Sequence, residues 1–365
     1  MRILEITGEP ILHGGQENFI FNILENINNS DLQFDVLTPY SCDNERFKDL
    51  IRNKGGNVYE FNLEFRPCKS RRLLYKPVLN FLRDRKYDVI HIHSGSISVL
   101  AYEALAARKA GVKKIIVHSH STGTKGIKHT LIHATFSPIL KNCPTHYMAC
   151  SKEAAEMKFP SSVQGDVTVA KNGINLNRFK RNIEVGKALR KRYGISDNAF
   201  VIGHVGRFTA EKNHVFLVDM FNILHERLPN SYLLLVGEGE LFEQTKSMVN
   251  SLNLSKNVIF AGVVDNPQDY YNAMNCFALP SLYEGFSFVT LEAQANGLPC
   301  IVSTGVPKAV VLTDLVQRIK LDADKWADNI MHIIGIGIHD TTEVLRQSGY
   351  DISKSATLIE RIYLS

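Results

Sequence analysis

The sequence predicts an α/β protein of two domains, each a largely parallel sheet flanked by helices. Three observations carry this. Short apolar runs alternate with segments of helical periodicity over residues 2–303. At 365 residues the chain exceeds what one core comfortably organises. The alternation breaks once, at the charged stretch 180–191, and restarts at Phe200.

The elements follow in order. Residues 2–7 read as the first strand. A loop over 8–15 ends in Gly14-Gly15, and Phe19, Ile20, Ile23, Leu24 and Ile27 then recur at helical spacing. Glycines at a helix start let backbone N–H groups approach a phosphate. The pattern is not the GxGxxG fingerprint, which lowers a nicotinamide or flavin reading. Strands are expected at 34–38, 57–61, 89–93, 114–118, 146–149 and 167–170, with helices between most of them. The turn-rich NGINLNRF at 172–179 closes the first unit.

In the second unit, strands are expected at 200–206, 232–236, 258–260, 276–279 and 300–302. Helices are expected at 214–227, 241–252, 267–274 and 288–296, with two more at 323–333 and 353–363. Arg207 and Lys212 flank the loop after a strand, a place where two cations suit a diphosphate. The stretch FALPSLYEGFSFVTLEAQANGLPCIVS at 277–303 is strand, loop, helix and strand. Its Glu284 sits in the loop and Glu292 about two turns into the helix, where carboxylates can accept hydrogen bonds from vicinal hydroxyls.

Composition is that of a globular protein, 44% hydrophobic and 22% charged. Six cysteines without CxxC or zinc spacing point to a reducing compartment and not to disulfides. No apolar run approaches 18 residues, and the opening MRILEIT reads as a strand and not a signal peptide, so a cytoplasmic location is expected. The net charge of +5 hides an asymmetry: residues 1–195 hold 30 basic against 18 acidic residues, the remainder 12 against 19. The densest part, 66–86, interleaves eight basic residues with apolar ones, which fits either peripheral contact with an anionic membrane or an ordinary solvated helix. No nucleic-acid motif accompanies the charge, so no nucleic acid is expected as partner.

Two strands end in histidine pairs, His91/His93 and His118/His120. Neighbours at i and i+2 share a strand face, so each pair has metal-binding geometry. No acidic or cysteine partner repeats around them in the sequence, so no metal is expected. His118, with His120 as the alternative, is the candidate for contact with a substrate hydroxyl, and His91 for a structural role at a strand edge.

These residues together resemble a known family. The run Gly14-Gly15-Gln16-Glu17, the histidine ending the strand at 114–118, NGINLNRF, VGRFTAEKN at 205–213, LVGEGE at 235–240, FAGVVDN at 260–266 and LPSLYEGFSFVTLEAQANGLPCIVS at 279–303 carry the likeness. It is to the retaining, nucleotide-sugar-dependent glycosyltransferases of family 4 (glycosyl transferases group 1), and within them to bacterial enzymes of capsular and exopolysaccharide synthesis. The resemblance implies a GT-B fold, two Rossmann-like domains facing each other across a central cleft. It implies an acceptor-binding domain over 1–180, a nucleotide-sugar domain over 181–350, and a last helix at 351–365 packing back on the first.

The resemblance also implies roles. Gly15 would lie near the diphosphate of a UDP-sugar donor. Arg207 and Lys212 would hold the pyrophosphate, helped by the amides of Phe286, Ser287 and Phe288. Glu284 would meet donor-sugar hydroxyls, Glu292 the ribose, Gly262 to Val264 the base, and His118 the sugar. Fixed cations and oriented N–H groups can stabilise a departing diphosphate without a divalent metal, so metal-independent activity with no cofactor is expected. The acceptor is expected to be a lipid-linked saccharide at the inner membrane face. A soluble acceptor, an epimerase or hydrolase of UDP-N-acetylhexosamine, and a non-catalytic nucleotide-sugar-binding subunit are the alternatives. Lys308 stands near where relatives carry an acid, and Asn175 and Ser287 are milder departures.

Overall fold

The structure, a computed structural model, describes the chain except residues 13–14, 66–70 and 122–126 and the side chains of 127–129. Gly14, the first five residues of the basic stretch and Thr122 of the HSHST run therefore lie outside the described residues.

Two compact units appear, one of Met1–Gly173 with Ile352–Ser365, the other of Ile174–Asp351. The first is built on a seven-stranded sheet: β1 (Arg2–Thr7), β2 (Gln33–Thr38), β3 (Val58–Glu60), β4 (Val89–Ser94), β5 (Lys114–Ser119), β6 (His146–Ala149) and β7 (Val167–Val169). Its order is β3-β2-β1-β4-β5-β6-β7, with every pairing parallel. The second unit has six parallel strands: β8 (Phe200–Val205), β9 (Ser231–Val236), β10 (Val258–Gly262), β11 (Cys276–Leu279), β12 (Cys300–Ser303) and β13 (Val316–Ile319). Their order is β10-β9-β8-β11-β12-β13. Each sheet thus starts in the middle and reverses direction once, the doubly wound Rossmann arrangement, with its switch point between β1 and β4 in one unit and β8 and β11 in the other. The two together are the GT-B fold.

The strands lie where the apolar runs placed them because strands covered by helices on both faces are apolar nearly throughout. All six residues of β4 are buried. Strand β13 and the helix Thr342–Gln347 were not anticipated. The first carries Gln317 and Arg318 in a run of four, and as an edge strand it needs no continuous apolar sequence.

In the basic stretch, a short turn at Arg71–Leu74 leads into a helix at Tyr75–Arg83. Leu74, Val78, Leu79, Phe81 and Leu82 are buried in the unit's own core, leaving Leu73 exposed. The apolar side of this segment is therefore spent on folding, and its exposed face is the charged one. Arg71 itself donates to the Tyr40 hydroxyl at 2.8 Å. Among the described residues no helix is long and apolar enough to cross a membrane.

The last helix, Ile352–Leu364, packs its Ile352, Ile359 and Tyr363 against the helix Gly15–Asn26 and the first sheet. Lys114 Nζ donates to the carbonyls of Ile362 and Tyr363 at 2.9 and 3.0 Å, satisfying acceptors that a helix end otherwise leaves open.

Candidate functional site

In the second unit the cationic loop follows β8 and the Glu284 loop follows β11, so both stand at the carboxyl ends of adjacent strands, at the switch point where open α/β sheets bind ligands. Lys212 Nζ reaches Glu284 Oε1 at 2.6 Å, and Ser281 Oγ donates to the same oxygen at 2.7 Å. The Glu284 loop is fastened on both sides. Leu282 N donates to Glu211 O at 2.7 Å, and Glu284 N to Gly305 O at 3.1 Å. Ser303 Oγ bonds Ser281 O, and a Cβ on Gly305 would collide with the carbonyls of Ser281 and Leu282. Arg207, the first residue of the cationic loop after β8, is exposed.

Asn213, which precedes the helix His214–Arg227, adopts the left-handed conformation at φ 56°. That conformation is tolerated by asparagine better than by most residues and ends the cationic loop sharply. The helix Phe288–Ala295 begins directly after the Glu284 loop, with Ser287 Oγ bonded to Thr290 Oγ1 at 2.8 Å. The backbone N–H groups of its first turn have no intrahelical partner, and this end of the helix favours anions.

Glu292 lies half-buried on that helix and accepts a hydrogen bond from the Tyr271 hydroxyl at 2.7 Å. Burial raises its carboxyl to about 7, against the Tyr271 hydrogen bond and the charges of Arg178 and Lys212. Two carboxylates from one stretch thus have different partners and different electrostatics. Tyr271, Ser281 and Gly305 were not singled out in the sequence. The adjacency of Tyr271 to β11 was the available signal for the first. Gly262 ends β10 at the same edge of the sheet with φ 70°, followed by exposed Val263 and half-buried Val264.

In the first unit Gly15 opens the helix Gly15–Asn26 and is exposed. The histidine pairs share one face of β4 and β5, where the parallel register sets Glu5 beside His91 and His93 beside His118. His91, expected in a structural role, is buried in β4 between β1 and β5, with its Nδ1 2.7 Å from the Tyr363 hydroxyl. An acidic partner is also present: Glu5 Oε2 lies 2.7 Å from His93 Nε2 and 3.4 Å from His91 Nδ1. His118 is fully buried, packed edge-on against Phe19 at 5.0 Å, whereas His120 is half-buried past the end of β5. Of the two candidates His120 is the one with exposed surface. Ligating nitrogens of His91, His93 and His118 lie within 4.8 Å of one another, close enough to share an ion.

Comparison with known proteins gives consistent matches. The family model for glycosyl transferases group 1 matches residues 186–336 and that for glycosyltransferase family 4 residues 13–178. EpsF of Bacillus subtilis (strain 168), named as a glycosyltransferase, is 30% identical over 96% of this chain and 93% of its own length. The Escherichia coli UDP-Gal:alpha-D-GlcNAc-diphosphoundecaprenol alpha-1,3-galactosyltransferase is 32% identical over 64% of this chain and 61% of its own. Anabaena HepE, in a crystal structure with UDP and glucose, superposes with a TM-score of 0.69 at 20% identity, covering 98% of this chain and 94% of that one.

Proposed function

The chain belongs to the family 4 glycosyltransferases, and on that premise we propose that it moves a hexose or N-acetylhexosamine from a UDP-sugar to a saccharide hydroxyl with retention of anomeric configuration. The observation that carries this reading is the Lys212–Glu284 pair at the switch point, with Arg207 in the same loop as Lys212. A departing UDP develops negative charge on its β-phosphate, and a fixed ammonium and guanidinium stabilise that charge most where it is greatest, in the transition state. The Phe286–Ser287–Phe288 amides add donors for the same oxygens, so turnover without a divalent metal is part of the proposal.

Glu284, held by Lys212 and Ser281, is fixed in place to accept from donor-sugar hydroxyls. Glu292 accepts from the ribose, and Gly262 to Val264 line the base. Retention is assigned to attack on the same face as the leaving group, a phosphate oxygen taking the acceptor proton, because Glu284 and Glu292 are each already hydrogen-bonded within the protein and neither is placed as a nucleophile. UDP bound to HepE and the UDP-galactose chemistry named for the E. coli relative favour UDP over GDP. That relative's diphosphoundecaprenol-linked acceptor favours a lipid-linked saccharide here, as in capsule or exopolysaccharide assembly, reached at the inner face of the membrane by the basic first unit.

Thermal stabilisation by UDP- and GDP-sugars, followed by turnover with the sugar that stabilises most, tests the reading. A ligand bound by the folded state alone at 100 times its Kd adds about 2.7 kcal/mol. Stabilisation by UDP-sugars and release of UDP only with a saccharide acceptor are expected. Preference for GDP-sugars overturns the donor class, and a free monosaccharide or its epimer as the product without acceptor overturns transfer.

A further inference from the structure

Four side chains from three neighbouring strands meet in the core of the first unit. The register of β1 with β4 sets Glu5 beside His91, and that of β4 with β5 sets His93 beside His118. The alternation of side chains along each strand turns all four to one face. None is more than 1% exposed. Burying an ionised carboxylate away from a cation is costly. In this cluster Glu5 meets only His93 at 2.7 Å, His91 at 3.4 Å and the Tyr363 hydroxyl at 2.6 Å, none of them a permanent cation. His118 Nε2 is buried with no partner at all.

The rings are held as metal ligands are held. One nitrogen of each strand-β4 imidazole is tied from behind: His91 Nδ1 to the Tyr363 hydroxyl at 2.7 Å, and His93 Nε2 to Glu5 Oε2 at 2.7 Å. An outer carboxylate or other oxygen in that position orients the ring and leaves the second nitrogen for the ion. The second nitrogens each face another imidazole, His91 Nε2 the Nδ1 of His118 at 3.3 Å and His93 Nδ1 the Nε2 of His120 at 2.9 Å. Two nitrogens on one tetrahedral ion, each about 2.0–2.1 Å from it, stand about 3.3 Å apart. The His91–His118 pair already has that spacing. Ligating nitrogens of His91, His93 and His118 all lie within 4.8 Å of one another, so closing on an ion moves the widest pair together by at most about 1.5 Å.

We propose that His91, His93 and His118 hold a divalent transition-metal ion, with Glu5 and Tyr363 as positioning residues behind the ligands. Imidazole nitrogens suit zinc and its first-row neighbours, whereas magnesium and calcium call for oxygen ligands. The ion supplies the positive charge that the buried Glu5 carboxyl otherwise lacks. With every ligand buried the site is closed, as structural sites are. It pins β1, β4 and β5 together and, through Tyr363, the last helix. All of these residues belong to the first unit, and Arg207 and Lys212 to the second. The ion is given no part in transfer.

The untagged full chain is tested with neither donor nor acceptor, so the outcome is independent of the transferase reading. After a chelator has stripped the protein, metal is returned by titration. One equivalent of cobalt(II) should give the intense visible absorption of a tetrahedral ion, and zinc should displace it. Zinc at 100 times its Kd should raise the Tm by about 5 to 10 °C, and magnesium should change neither signal. Absence of tight uptake overturns the proposal, as does the weak spectrum of an octahedral ion, which marks oxygen and water ligands. His93→Gln and His118→Gln should each abolish the tetrahedral cobalt band, and a band unchanged in either places the ion elsewhere and overturns the assignment. Glu5→Gln should keep the band with affinity about 10- to 100-fold lower, and unchanged affinity removes its positioning role. Should the ligand variants not fold, the ¹⁵N resonances of wild-type His91, His93 and His118 decide. Zinc should move one ring nitrogen of each, and a chain that takes up zinc without moving them overturns the site.

Discussion

Replacing Lys212 with methionine keeps most of the side chain's length and removes its charge. A unit charge about 4 Å from a phosphate oxygen, at an effective dielectric constant of about 20, contributes about 4 kcal/mol. Glu284, bonded to the same ammonium at 2.6 Å, offsets part of that field, so we take about 3 kcal/mol as the loss in the transition state, about 100-fold in kcat. Stability changes by another route. The Lys212 and Glu284 side chains are 21% and 11% exposed, and Glu284 would keep only the Ser281 hydrogen bond. Leaving a part-buried carboxylate short of a partner costs about 1 to 2 kcal/mol, a few degrees in Tm. The two effects separate in the double variant Lys212→Met/Glu284→Gln, which should recover the Tm but not the turnover. UDP release at saturating donor measures kcat, and calorimetry measures Tm. A kcat for Lys212→Met within threefold of the wild type, or a double variant that regains activity along with stability, refutes the role assigned to this cation.

Two further predictions concern the ribose contact and the membrane. The Glu292 carboxyl, raised to about 7 by burial, must be ionised to accept from two ribose hydroxyls. The folded state binds this proton more tightly than the unfolded chain does, so Glu292 works against stability increasingly as pH rises from about 4.5 to about 7, while donor binding gains over the upper part of that range. KM for the donor should therefore be higher at pH 6 than at pH 8, and Glu292→Gln should flatten the dependence; a pH profile unchanged by that substitution refutes the assignment. For the membrane, Arg72→Ala with Lys76→Ala should weaken partitioning to vesicles containing anionic lipid by about 1 kcal/mol per charge, as read by sedimentation. Unchanged partitioning removes this segment from membrane contact.

The switch-point site was legible because its elements are close in sequence or carry distinctive pairs. The run from 277 to 303 spells strand, loop and helix in order, and the two cations follow a strand directly. What the sequence withheld were contacts made across the fold. Lys212 and Glu284 read as separate groups, one for phosphate and one for sugar, and the structure joins them in one ion pair. The histidine pairs read as lacking an acid, since Glu5 comes long before them and reaches them only through the parallel register of β1 and β4. Tyr363, from the far end of the chain, completes the same cluster. The basic segment shows the opposite limit. Its amphipathic pattern is the same whether the apolar face meets a membrane or a core, and here Val78, Leu79, Phe81 and Leu82 meet the core.

The anomeric configuration of the product tests the central claim most directly. With an α-linked UDP-sugar that stabilises the protein and a diphospholipid-linked saccharide as acceptor, NMR of the isolated product should show an α-glycosidic linkage. A β-linked product would contradict the account, because it requires attack from the face opposite the diphosphate that Arg207 and Lys212 are proposed to hold.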